Sequence, residues 1–179
     1  MKTFLCKATT FGLFFAIAFP ALQATPAAVA DSAGLNTATI GREHTIAFKD
    51  VYAFRAVDRY DKKKQVTVVI LTESPLDKKA MTAALKKERE ASLLIYGLHP
   101  QKMAYFWIEQ SGKIGNFGVF IGGANQCMGR DVKGDVKVNT AKRVEGRVSD
   151  DDKRDTHYCK IDLRFATDLA DVGPPVGND

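Results

Sequence analysis

Residues 65–72, Gln65-Val66-Thr67-Val68-Val69-Ile70-Leu71-Thr72, followed by Glu73-Ser74-Pro75-Leu76-Asp77, decide how this chain is read. The first eight residues are β-branched or apolar in both phases of a strand. Such a strand suits the middle of a sheet covered on each side. The period then changes. Leu76, Ala80, Ala84, Leu85, Ala91 and Leu94 fall on one helical stripe, while Lys78, Lys79, Lys86, Lys87, Arg89 and Glu90 fill the rest of the surface. Ser74 is a suitable N-cap, Pro75 occupies the first helical position, and Asp77 places negative charge in the first turn. Gly97 and Pro100 supply the stop, so a helix is expected over residues 75–95. Glu88 lies beside the apolar stripe, where a charged head extended to solvent is expected.

Outward from this pair the signal is β on both sides. Toward the N-terminus, His44, Ile46 and Phe48 alternate with polar neighbours, and Tyr52, Phe54 and Ala56 are read as the same phase. One long strand, or two joined near Lys49-Asp50, is expected there, with Asp58–Lys64 as a charged turn. Toward the C-terminus, Lys102–Glu109 and Lys113–Ile121 form a hairpin through Gln110-Ser111-Gly112. Gly122–Arg130 is read as a connecting loop. Val132, Val136 and Val138, then Val144, Gly146 and Val148, alternate with charged residues, as half-wet strands do. The last strand sets Cys159, Ile161, Leu163 and Phe165 on one face and Tyr158, Lys160, Asp162 and Arg164 on the other.

Two or three strands, one helix and about five more strands do not give the regular alternation of a parallel β-α-β sheet. The expected class is α+β, mostly β: an antiparallel sheet or half-barrel of about 7–8 strands with one amphipathic helix packed on it. A β sandwich with a short crossover helix is the alternative, and an open sheet and a closed barrel both fit the pattern. Residues 42–168 make one β-rich domain, residues 31–41 a flexible lead-in, and residues 169–179 a loose tail.

Residues 1–30 read as a signal peptide, with Lys2 and Lys7 before the apolar run Phe11–Leu22 and small residues at Ala28-Val29-Ala30. Cleavage before Asp31 is expected, with a second compatible cut after Ala24. The run is shorter than the ~20 residues that cross a bilayer and contains Pro20, so no transmembrane segment is expected in the mature chain. Cys6 precedes the run and is misplaced for lipidation. Periplasm or medium is the expected destination. Loss of Lys2 and Lys7 lowers the basic count from 26 to 24 against 21 acidic residues, and the net charge from +5 to +3. With Lys and Arg interleaved among Asp and Glu, that charge gives nucleic-acid binding no support.

Cleavage also reduces three cysteines to Cys127 and Cys159. An even pair in an exported chain favours a disulfide, worth about 3.7 kcal/mol for a loop of about 33 residues. The rival, a nucleophilic Cys127 served by His44, His99 or His157, lacks any surrounding signature. Cys127, Cys159 and His157 also lack zinc-type spacing. Asp150, Asp151, Asp152 and Asp155 lack the spacing of a calcium loop and read as a solvated turn. Gly112, Gly115 and Gly118 precede no helix that would present its N-terminus to a phosphate. They mark bends or close backbone approach instead. His44 and His157 are read on inward strand faces and His99 in a loop. No cofactor, metal site or catalytic residue is assigned, and the sequence leans away from an enzyme.

Tyr52-Ala53-Phe54-Arg55, Val68–Leu76, Arg143–Val148 and Asp162–Phe165 resemble a loose group of exported bacterial β-rich domains of unassigned function, across most of residues 40–170. The resemblance implies export and a β-rich fold, and it carries over no catalytic or binding residue.

The leading expectation is an exported, non-enzymatic binding module acting on a protein or envelope component, in the manner of an inhibitor or immunity protein. Its binding residues are expected to be Asn125, Gln126, Arg130 and His157, around a connection pinned by Cys127. The alternatives are a carrier of a small apolar ligand, lined by Phe106, Trp107, Phe117 and Phe120, and a small hydrolase without a recognisable motif. The dense basic face of the helix is a further candidate contact for anionic lipid or cell-wall polymer.

Overall fold

The computed structural model describes residues 36–41, 44–58, 61, 63–87, 102–122, 124–128, 132–152 and 159–173. Among them, ten strands and one helix follow in chain order: β1 (Thr37–Ile40), β2 (His44–Ala47), β3 (Asp50–Val57), β4 (Gln65–Thr72), α1 (Lys78–Lys87), β5 (Lys102–Glu109), β6 (Ile114–Ile121), β7 (Ala124–Met128), β8 (Lys133–Asn139), β9 (Arg143–Asp152) and β10 (Cys159–Ala170). The expected leader, residues 1–30, lies outside the described residues. So do His99, Arg130 and His157, and the expected helix stop at Gly97 and Pro100.

The strand at residues 65–72 is buried from Val66 to Thr72, as its double apolar phase requires. It pairs antiparallel with β3 and β5, and the sheet runs β2-β1-β10-β3-β4-β5-β6-β7, with β9 and then β8 branching from β10. This is a curled half-barrel with one helix on it, in the expected class. Its path of eight strands agrees with the expected number, and the sheet is mixed rather than purely antiparallel. Leu169 and Ala170 at the end of β10 pair parallel with Ala53 and Phe54 of β3. β10 is long enough to serve both flanks of the curl: Cys159–Asp162 pair with β1, Cys159–Asp168 with β9, and the last two residues with β3.

The curl gives the central strands two cores. Inside it lie Ala53, Val69, Leu71, Ala104, Phe106, Ile108, Phe117 and Val119, packed against Ile161, Leu163 and Phe165 of β10 and Val144 and Val148 of β9. The Phe106 and Phe165 rings meet at 5.0 Å between centroids and help fill the interior. Outside lie Tyr52, Phe54, Val66, Val68, Ile70, Met103, Tyr105, Trp107 and Phe120, together with Met81 and Leu85 of α1. Alternation along β3, β4 and β5 sends successive residues to opposite cores.

Polar bonds close one end of the interior. Thr67, fully buried, donates to Asn139 Oδ1 at 2.8 Å, and Asn139 Nδ2 donates to the Glu109 carbonyl at 3.0 Å. Arg55 beside them donates to the Thr140 carbonyl at 2.9 Å. The β5–β6 hairpin has Gly112 at φ 84° and closes with bonds from Gly112 N to Glu109 O and from Glu109 N to Lys113 O, both 2.9 Å. This is a three-residue loop with glycine at the left-handed position. Gly118 lies under the Tyr105 ring, where an added Cβ would stand 2.5 Å from the ring edge, so close approach accounts for that glycine.

Several local expectations are corrected. The helix starts at Lys78, with Asp77 as its cap: Asp77 Oδ1 accepts from Lys79 N at 3.0 Å and Ala80 N at 2.9 Å, and the Asp77 carbonyl accepts from Met81 N. Ser74 does not cap it: it lies three residues before the cap position, where its carbonyl accepts from the Thr72 hydroxyl at 2.6 Å. Met81 joins Leu85 on the buried stripe while Ala80 is exposed. The Tyr52 hydroxyl lies 2.8 Å from Thr82 Oγ1, which itself donates to the Lys78 carbonyl, so Tyr52 donates and ties helix to sheet.

The lead-in at 31–41 contains β1, because Thr37–Ile40 have two neighbours to pair with, β2 and β10. The tail at 169–179 begins inside β10, and Val172 is buried against the outer core. Ile46 and Phe48 face the inner core but Tyr52 and Phe54 the outer one, because the chain leaves one strand and enters another between them. His44 at the start of β2 is exposed rather than inward. On β8 a register shift between Val136 and Val138 moves Val138 off the face shared by Val144 and Val148.

Candidate functional site

The segment expected as a loop at residues 122–130 contains β7, paired antiparallel with β6. Its turn explains why it pairs. Ile121 and Ala124 are partners, and Gly122 between them has φ 56°, the left-handed conformation that a two-residue hairpin connection demands. Gly122-Gly123 after an apolar strand is a hairpin signal that the expected loop passed over.

The register then slips by one. Phe120 pairs with Asn125 and Val119 with Cys127, leaving Gln126 as the extra residue of a bulge. Cys127 faces the inner core with Val119. There it is bonded to Cys159, with the two Cα atoms 6.3 Å apart. Cys159 is the first residue of β10 and pairs with Ile40 of β1 and Asp152 of β9. The bond therefore crosses the interior and fixes the terminal strand of the eight-strand path to the opposite flank. The expected disulfide is present, and Cys127 is not a free nucleophile in this structure.

Of the four expected binding residues, the structure brings two together. Gln126 is exposed at the bulge of β7. Asn125 is half-buried beside it, and its amide nitrogen and oxygen are both buried without a hydrogen-bond partner. Leaving such a group unpaired costs about 1–3 kcal/mol per lost partner. The Trp107 indole N–H, on the outer-core face of β5, is unpartnered in the same way.

The aromatic residues expected to line a ligand cavity do not share one. Phe106 and Phe117 are direct partners on the inner face, while Trp107 and Phe120 belong to the outer core. All four are at most 4% exposed, packed against protein rather than around a void. A cleft at the edge of β3, lined by Phe54, Ala56, Leu85, Val172 and Gly173, has about 10 Å³, the room of a single water.

Charge is concentrated at strand surfaces. Arg147 holds Asp162 through two bonds, Nε to Oδ1 at 2.7 Å and Nη2 to Oδ2 at 2.6 Å. The guanidinium keeps the Asp162 carboxyl below its ordinary value, with Arg164 and Lys160 assisting and partial burial opposing. Arg55 is held below the usual arginine value by burial. Among the described residues, no group of three or more His, Cys, Asp or Glu gathers as metal ligands would. No helix among them is long and apolar enough to cross a membrane. The expected acidic turn is part of β9 at Asp150–Asp152, and its remainder lies outside the described residues.

Compared with protein-family models, curated proteins and solved structures, the chain gives no match.

Proposed function

We propose that this chain is an exported, non-enzymatic binding module that engages a protein or envelope component through the edge formed by β7, in the manner of an inhibitor or immunity protein. One observation carries the reading: the terminal strand bearing Asn125 and Gln126 is tied at Cys127, through the interior, to β10. A contact edge fixed before binding loses little conformational entropy when a partner arrives, which is how preorganisation raises affinity. The buried disulfide agrees with an oxidising destination, and residues 1–30 supply the signal peptide that takes the chain there. The resemblance to exported β-rich domains of unassigned function points the same way.

The test immobilises residues 31–179 and challenges them with envelope extract from the source organism, beside a Gln126→Arg variant and a reduced sample. The expected result is a saturable partner whose affinity falls at least about tenfold, or about 1.4 kcal/mol, in the variant. The reduced sample also loses affinity. An extract with no saturable partner under either condition, or a partner indifferent to Gln126, overturns the proposal. N-terminal sequencing of the exported protein checks the leader, and the expected first residue is Asp31.

A further inference from the structure

We draw no further inference here: the strongest candidate, the outer-core face of β5–β7 on which the Trp107 indole and the Asn125 amide are buried without partners, carries nothing because no described residue shows what covers it.

Discussion

Asn36 stands at φ 76°, in the left-handed region where L side chains other than Asn and Asp rarely sit. Its three bonds explain why it is held there. Its amide donates to the Asp162 carbonyl at 3.0 Å, its carbonyl accepts from Phe48 N at 2.8 Å, and its side-chain oxygen accepts from Arg164 N at 2.5 Å. One residue thus joins the entry of β1 to the exit of β2 and the middle of β10. Asn36→Ala should cost about 2 kcal/mol, one part for the left-handed backbone and one for the lost side-chain bond. Asn36→Gly keeps the backbone freedom and should cost about half of that. Urea titration of both variants decides the point, and a glycine variant no more stable than the alanine one contradicts it.

Asp50 is a second such residue. Its carboxylate accepts from Leu76 N at 3.0 Å and Val51 N at 2.9 Å and pairs with Lys78 Nζ at 2.9 Å, so it joins the start of β3 to the start of α1. Burial pushes its pKa up, but the Leu76 amide, Lys78 and the Val51 amide together hold it below the ordinary aspartate value. A carboxyl depressed in the folded state gives stability that is present above its unfolded pKa, near 3.9, and is lost as pH falls through the folded value. The acid branch of the stability curve below about pH 4 should therefore be shallower in Asp50→Asn than in wild type. Parallel acid branches would show that Asp50 does not contribute.

At the scale of elements, α1 offers a direct comparison of two caps. Asp77 closes the first turn through two amides, whereas Ser74 stands three residues before that cap with no capping bond. Asp77→Ala should cost about 1 kcal/mol. Ser74→Ala should change stability by less than about 0.5 kcal/mol, as exposed positions without a special bond do. Thermal denaturation of the two variants, followed by circular dichroism, ranks them, and the reverse order would return the cap to Ser74. Both residues are good cap types, so their order in the chain does not choose between them. The choice falls to Asp77 because Thr72 and Asp50 hold residues 74–76 in place above the end of β4.

Strand β7 shows the same division. Its apolar content is low, and a glycine pair followed by Ala-Asn-Gln reads locally as a loop. It becomes a strand because β6 offers an unpaired edge and the turn at Gly122 folds the chain back onto it.

At the scale of the whole molecule, the disulfide joins β7 to β10, two strands that do not pair with each other among the described residues. Cys127→Ser with Cys159→Ser should lower stability by about 3.7 kcal/mol on chain-entropy grounds, within the usual 2–4. Hydrogen exchange should show the amides of β7 losing protection before those of β3, β4 and β5, which are paired on both sides. Uniform loss across the sheet would mean that the bond stabilises the fold as one unit rather than its edge.

The class, the central strand, the helix on one face and the cysteine pairing were legible because each rests on local chemistry: β-branched runs, a helical stripe, two cysteines outside a signal-like leader. The candidate site was half legible. Asn125 and Gln126 were singled out through their neighbour Cys127, but their placement on a paired edge strand was not. What the sequence alone determined is which residues must be removed from water, and that requires a sheet buried on both sides. Only the tertiary structure decided the rest. It turned Thr37–Ile40 and Leu169–Ala170 into paired strands and laid Ala124–Met128 along the edge of β6. Those outcomes depend on which backbone edge lies nearest when the sheet curls, and that long-range geometry leaves no periodic mark in the chain.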